Sequence, residues 1–519
     1  MNHFAKVYSA QVVGISAHII TIEVDVTKKT LYAFSIVGLP DKAVEESRDR
    51  ISAAIKHSGF SSPKKQNQKI VISLAPADIK KEGPSFDLPM AIAYLSAVEE
   101  ISFNPENKLF LGELSLDGTL RAVKGVLVLV RKAQELGFKE VFLPKDNATE
   151  GALIDGIKIY GAGTLKEVAN HLNEKNKDKL KDTSTLTASP KTKIKYTDSK
   201  YSIDMSDVKG QESGKRGLEI AAAGRHNVCM YGPPGTGKTM LARAFSNILP
   251  DLCFEEVLEV TGIHSVAGSI NTSLITSAPF RSPHHTSSYN SIVGGGSFPR
   301  PGEITLAHRG VLFLDEFPEF EKRVIESLRQ PMEDNVINIS RVKGTETFPA
   351  NFILIAAMNP CPCGNYGSDK ECICNPSALT RYRRKLSGPI MDRIDLWIAI
   401  DKVDHQKLSS KDKTEDGSFI KKRVTTAREL QKKRFCNNES SSMKTNSDMS
   451  ARDIQDLVPL SPEVKELLIQ SSKSLNLSAR GHHKIIKIAR TIADLANDKH
   501  IKTQHVLEAL QYRPRTDDI

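Results

Sequence analysis

Residues Gly232-Pro233-Pro234-Gly235-Thr236-Gly237-Lys238-Thr239 carry the pattern G-x-x-x-x-G-K-T. Glycines at this spacing let backbone N–H groups converge on a β-phosphate. Lys238 can then reach the β- and γ-phosphates, and the Thr239 hydroxyl can hold Mg²⁺. The flanks suit that chemistry. The apolar run 227–231 reads as a strand leading into the loop, and 240–247 reads as a helix leaving it. A helix beginning there adds the favourable end of its dipole to bound phosphate. The pattern implies ATP with Mg²⁺ as the ligand.

A second run, Val311-Leu312-Phe313-Leu314, ends in Asp315 and Glu316. A buried strand of this kind delivers Asp315 to the Mg²⁺ shell and leaves Glu316 to orient an attacking water. The plain alternative, a strand that merely ends in acids, is weak with a phosphate loop upstream. A third apolar run, 352–356, leads to Ala357-Met358-Asn359, where an amide can hydrogen-bond the γ-phosphate or the water. The grouping resembles the AAA+ ATPases. In such a core an arginine placed like Arg393, in Met391-Asp392-Arg393-Ile394-Asp395, projects into the neighbouring subunit's site as a finger. Arg480, in Leu477-Ser478-Ala479-Arg480, opens a lid helix and can act as a second sensor. For each arginine the alternative is a surface ion pair. A finger supplied in trans requires a ring or another oligomer.

Four of the seven cysteines fall between residues 361 and 374, as Cys361-Pro362-Cys363 and Cys372-Ile373-Cys374. Gly364, Gly367 and Pro376 permit tight turns around them. Four thiolates on a short loop make a tetrahedral zinc site. The spacing is C-x-C rather than the commoner C-x₂-C, so a reduced cluster without metal is the alternative. Its position after Asn359 suits bracing a loop rather than catalysis.

These residues need an α/β scaffold. The chain has 519 residues, enough for two to four domains of about 100–200 residues. Residues 1–172 form one block, in which 19–24 and 70–74 read as strands. Residues 41–58 read as a helix with Asp41 as its N-cap, Val44, Ile51 and Ile55 on one face, and Gly59 at its end. Residues 173–203, rich in Lys, Asp, Ser and Thr, read as a flexible linker. Residues 204–402 hold the three apolar strands with helical patterns between them, which predicts a parallel sheet. Residues 403–519 read as a helical lid, with Ile485, Ala489, Ile492 and Leu495 at helical spacing.

The formal charge is +10, from 72 basic and 62 acidic side chains, which permits a polyanionic partner without requiring one. The chain contains no apolar run of the length that spans a membrane, and its N-terminus alternates like a strand. Together with the clustered cysteines, this predicts a cytoplasmic protein without a membrane partner.

Further motifs are more specific than the phosphate loop. They are Phe280-Arg-Ser-Pro-His-His-Thr286, Val293-Gly-Gly-Gly296, Arg300-Pro-Gly-Glu303, Phe313-Leu-Asp-Glu-Phe-Pro-Glu-Phe320, Ala356-Ala-Met-Asn-Pro-Cys-Pro-Cys-Gly364 and Leu477-Ser-Ala-Arg-Gly481. On these the chain resembles, over essentially its whole length, the ComM/YifB family of magnesium-chelatase-like AAA+ ATPases. The resemblance implies a homo-hexameric DNA motor, a helicase driving branch migration in natural transformation, with single-stranded or branched DNA as its partner. Residues 335–348 read as strand, turn, strand and resemble the presensor hairpin of related helicases. Arg341 and Lys343 near its tip are candidates for phosphate contact, the alternative being an ordinary solvated tip. Residues 264–302 read as a long loop that looks like a second pore insertion. Adjacent histidines point apart on most backbones, so His284 and His285 are assigned to that loop rather than to a metal.

The N-terminal block resembles the protease domain of Lon, a ribosomal S5 domain 2-like fold. Glu82-Gly-Pro-Ser85 lies where Lon carries its nucleophile. The general-base lysine falls at Leu127, and a serine without its base has nothing to take its proton. Lys124 lies one turn earlier if the helix already runs there. The expectation is a retained fold without peptidase chemistry. Two other functions compete with the DNA motor: a remodeller of a protein or metal-chelatase-like complex, and an ATP-dependent peptidase.

Overall fold

The structure, a computed structural model, describes residues 3–65, 67–173, 186–192, 203–268, 274–296, 300–341, 344–366, 370–402, 415–436, 445–475 and 477–514. Two compact units divide the chain. One contains residues 1–195 with 261–274, the other 196–260 with 275–519.

The first unit is built on a seven-stranded sheet. Its order is Ala33–Val37, Gln68–Ala75, Ser16–Lys28, Phe4–Val13, Lys108–Phe110, Glu140–Pro144 and Lys158–Ala162. Phe4–Val13 and Ser16–Lys28 form a long antiparallel hairpin, and the last three strands run parallel. The helix Lys42–His57 begins at Asp41, whose Oδ1 accepts the Val44 N–H at 2.8 Å. That bond satisfies one of the N–H groups a helix start leaves open. Val44, Ile51 and Ile55 are fully buried against the sheet, as their spacing predicts. Leu127 is buried near the start of the helix Val126–Glu135. Gly125, with φ +74°, stands before that helix, so Lys124 lies outside it. The Lys124 ammonium approaches Gly268 instead: a methyl group there would stand 3.0 Å from its Nζ.

Part of the stretch read as a linker is bound rather than free. The Ser189 N–H donates to the Ile159 carbonyl at 2.7 Å, and the Thr192 N–H to Ala152 at 3.1 Å. Lys191 pairs with Asp155 at 2.7 Å. Composition hid this, because backbone bonds to a sheet edge need no apolar side chains. The rest of 174–202 lies outside the described residues.

The second unit holds a five-stranded parallel sheet in the order Phe280–Arg281, Val311–Leu314, Ile353–Met358, Val228–Tyr231, Leu396–Ala399. The three strands read from sequence are there. Phe280–Arg281 and Leu396–Ala399 were missed: the first is two residues long, and the second is an apolar run cut short between Asp395 and Asp401. The first of them lies inside 264–302, as do the C-terminal end of the helix Phe254–Ala267 and the short helix Tyr289–Val293. That segment is therefore not one loop: His264 is a buried helical residue. The helices Gly417–Phe435 and Ala479–Leu495 share one hydrophobic core with the sheet, with Val424 and Ile485 joining Met230, Phe313 and Ile355. The described residues from 415 on thus pack as part of this unit. Val336–Arg341 and Gly344–Pro349 form the expected antiparallel hairpin. The side chain of Arg341 and the whole of Lys343 lie outside the described residues, so the structure gives no position for either candidate contact. Among the described residues no helix is long and apolar enough to cross a membrane.

Candidate active site

The chain visits the sheet in the order 228, 280, 311, 353, 396 but occupies it in another. It leaves strand Val228–Tyr231 for one side of the sheet and returns to its other side at the end. Ligands of open parallel sheets bind beside such a reversal, at the carboxyl ends of the strands. Three adjacent carboxyl ends meet here: Tyr231 leads into the phosphate loop, Leu314 into Asp315-Glu316, and Met358 into Asn359.

Gly237, at φ +89°, opens the helix Lys238–Ile248, a backbone setting that side chains with a Cβ rarely adopt. Lys238 is buried, and its ammonium donates to the carbonyls of Gly232 at 2.7 Å and Pro233 at 2.8 Å. It also donates to Asn359 Oδ1 at 3.2 Å. Burial pulls the Lys238 pKa below its ordinary value, against the attraction of Asp315. The Thr239 hydroxyl donates to Asp315 Oδ2 at 2.8 Å. Asp315 Oδ1 accepts the Glu316 N–H at 2.9 Å. Glu316 itself sits at φ 51°, ψ 44°, a strained backbone for a side chain of its size. The adjacent residues Lys238 and Thr239 thus each take a partner from the end of a different strand, Asn359 and Asp315 respectively.

The comparisons bear on the family. A family model described as magnesium chelatase, subunit ChlI, matches residues 204–408. A model for subunit ChlI of Mg-chelatase matches 22–147, and one for the ChlI C-terminal region matches 414–513. The competence protein ComM of Haemophilus influenzae is 39% identical over 513 residues, covering 98% of this chain and 97% of its own. YifB of Escherichia coli, an uncharacterised protein, is 42% identical over 514 residues, covering 98% and 96%. The chain belongs to the ComM/YifB family of magnesium-chelatase-like AAA+ proteins. An uncharacterised relative from Mycobacterium tuberculosis is 39% identical over 513 residues, covering 98% of each chain.

Within this family member, sequence reasoning missed three contacts, the first at the site and the third at the opposite, amino ends of the strands. His285 Nδ1 lies 3.2 Å from Glu316 Oε2. The rings of His284 and His285 lie side by side, tilted by 32° with centroids 4.2 Å apart, so the expectation that they point apart fails. Their partners differ: His284 Nδ1 is 2.8 Å from the Thr286 hydroxyl. The bidentate pair of Arg281 with Glu303, at 2.5 and 2.7 Å, fixes the start of this loop.

The second contact gathers Arg393 and Arg480 on Glu333. Arg393 Nη2 is 2.5 Å and Arg480 Nη2 2.8 Å from the same Oε1. Arg393 also donates to the Pro389 carbonyl at 2.6 Å. The two arginines hold the Glu333 carboxyl below its ordinary pKa, Arg393 more strongly. Glu333 belongs to the helix Arg329–Asp334, which runs directly into the hairpin.

The third is made by Asp395, two residues after Arg393. It accepts the Asn227 N–H at 3.1 Å and faces Lys484 at 3.4 Å and His226 at 3.6 Å. Burial would raise its pKa. Lys484 first and then His226 override that and hold it well below the usual carboxylate range. Lys484 comes from the helix Ala479–Leu495, so this pair joins the lid to the sheet.

The four cysteines converge. Their sulfur atoms all lie within 4.8 Å of one another, and Cys361 is fully buried.

Proposed function

We propose that this chain is an ATPase that works as a homo-hexameric motor on DNA, promoting branch migration in recombination or DNA uptake. One observation carries the ATPase reading: Lys238 bonds Asn359 and the adjacent Thr239 bonds Asp315 at three neighbouring carboxyl ends of a parallel sheet. Lys238 and the loop amides would take the β- and γ-phosphates. Thr239 and Asp315 would hold Mg²⁺, which when bound neutralises charge on the phosphates. Glu316 orients the attacking water and accepts its proton as the bond from the γ-phosphorus to the bridging oxygen breaks, releasing ADP and phosphate. Asn359 reads the γ-phosphate. Arg393 serves a neighbouring subunit's site as a finger and Arg480 acts as a second sensor from the lid helix, which requires both arginines to leave Glu333. A structural zinc on the four cysteines completes the cofactor set.

The DNA reading is supported by full-length similarity to a protein named for competence. The hairpin Val336–Pro349 further supports it, offering a device that could follow a nucleic-acid backbone. The chelatase family models favour a second reading, a remodeller whose partner is a protein complex. ATP hydrolysis by the purified protein, with and without single-stranded and four-way-junction DNA and with Glu316→Gln as blank, separates the two. Strong stimulation by DNA is expected. Hydrolysis indifferent to every DNA would sink the motor reading and leave the remodeller.

A further inference from the structure

The cysteine loop is inserted between two parts of the nucleotide site. Before it stands Asn359, whose side chain accepts from Lys238. After it comes the helix Pro376–Arg383, and the buried Tyr382 on that helix donates its hydroxyl back to the Asn359 carbonyl at 3.1 Å. The loop is thereby stapled at its base. Its first turn touches the phosphate loop directly. Gly364 has φ +80°, and a Cβ added there would stand 2.7 Å from Pro234 Cδ and 3.1 Å from Cγ. Nothing larger than glycine fits without moving Pro234, the third residue of the G-x-x-x-x-G-K-T segment.

The sulfur geometry fits a single ion. Cys361 and Cys363 Sγ are 3.3 Å apart, Cys361 and Cys372 3.7 Å, and Cys363 and Cys372 3.6 Å. A tetrahedral zinc with bonds of about 2.3 Å spaces its sulfurs by about 3.8 Å. Disulfides need about 2.05 Å, and these cysteines are unbridged. A single ion rather than a larger cluster suits sulfurs this close. Backbone N–H groups already point at the sulfurs: Tyr366 donates to Cys361 at 3.2 Å, and Asn365 donates to Cys363. Such bonds orient and stabilise thiolate ligands.

We propose that the zinc knuckle of Cys361, Cys363, Cys372 and Cys374 is a positioning element of the nucleotide site, pressing Gly364 against Pro234 and fixing Asn359, so that metal occupancy sets the affinity for ATP. The inference rests on the reading of the four cysteines as a zinc site. The ion ties residues 361–363 to 372–374. Without it, the Tyr382 staple and the Arg383 guanidinium over the Tyr366 ring still hold the segment's described part, but the two cysteine pairs come apart and both Pro234 and Asn359 lose a rigid neighbour. Displacements of about 1 Å among groups that grip a reacting phosphate cost up to about a hundredfold in rate. A loss of about tenfold in nucleotide affinity is the expected scale for a support one residue removed.

The test uses the full chain. Metal content is measured by mass spectrometry on protein purified without added metal. The same protein is stripped with a zinc chelator under reducing conditions, desalted into Mg²⁺ buffer, and titrated with a fluorescent ATP analogue before and after Zn²⁺ is restored. One zinc per chain, a Kd raised about tenfold on stripping and recovery on restoring zinc are expected. Protein that carries no metal, or iron instead, overturns the zinc reading. Stoichiometric zinc with an unchanged Kd after stripping overturns the positioning inference and leaves the zinc site standing. Gly364→Ala separates the two further. It should keep its zinc while binding ATP more weakly, and unaltered binding would refute the contact with Pro234.

Discussion

His285 Nδ1 stands 3.2 Å from Oε2 of Glu316, the residue assigned to the attacking water. The contact holds a carboxylate that is half exposed and set on a left-handed backbone. It comes from the Phe280–Thr286 motif, whose strand lies next to Val311–Leu314 in the sheet. His285 is thus a positioning residue for Glu316. His285→Ala should lower kcat about tenfold with little change in KM, because ATP is gripped elsewhere. Steady-state kinetics reads this directly, and a variant with parental kcat would remove His285 from the mechanism.

Glu316→Gln keeps the shape of the side chain and removes its basicity. Hydrolysis should fall by about 10²–10⁴-fold while ATP binding is retained. Equilibrium binding beside single-turnover kinetics checks both halves. Lys238→Ala should instead lose the binding itself.

Arg393 and Arg480 share one oxygen of Glu333. Arg393→Ala should still assemble but not hydrolyse ATP, and mixing it with Lys238→Ala protein should restore activity in hybrid rings. Mixtures that stay inactive would show that the finger is not supplied in trans. In thermal melts Glu333→Ala should lose about 0–1 kcal/mol through the exposed Arg480 pair, and somewhat more through Arg393, which is 11% exposed and keeps its bond to Pro389.

Asp395 is held below its ordinary pKa by Lys484 and His226. Its folded pKa is depressed, so its stabilising contribution is present above the unfolded value of about 3.9 and lost as pH falls through the folded value. Asp395→Asn should destabilise the ATPase unit by about 3–5 kcal/mol at neutral pH, because Lys484 is left buried without its counter-charge. The deficit should narrow as the pH is lowered below about 4. Thermal melts across that range test the sign, and a variant as stable as the parent at pH 7 would refute the role.

The sequence by itself determined what depends on neighbours along the chain. The phosphate loop, with its glycines and Lys238-Thr239, is a local backbone device, and so is the helix capped by Asp41. The strand before Asp315 and the hairpin of 336–349 follow from short-range patterning. The tertiary structure decided what depends on which segments lie side by side. Setting Ile353–Met358 between Val228–Tyr231 and Val311–Leu314 puts Asn359 on Lys238. The short strand Phe280–Arg281 starts the loop that carries His285 to Glu316, and Glu333 gathers two arginines that lie 87 residues apart in sequence. No periodicity encodes such meetings. They arise because burying the sheet's apolar faces fixes the strand order, and the polar ends of the strands must then find partners among whatever groups that order brings near.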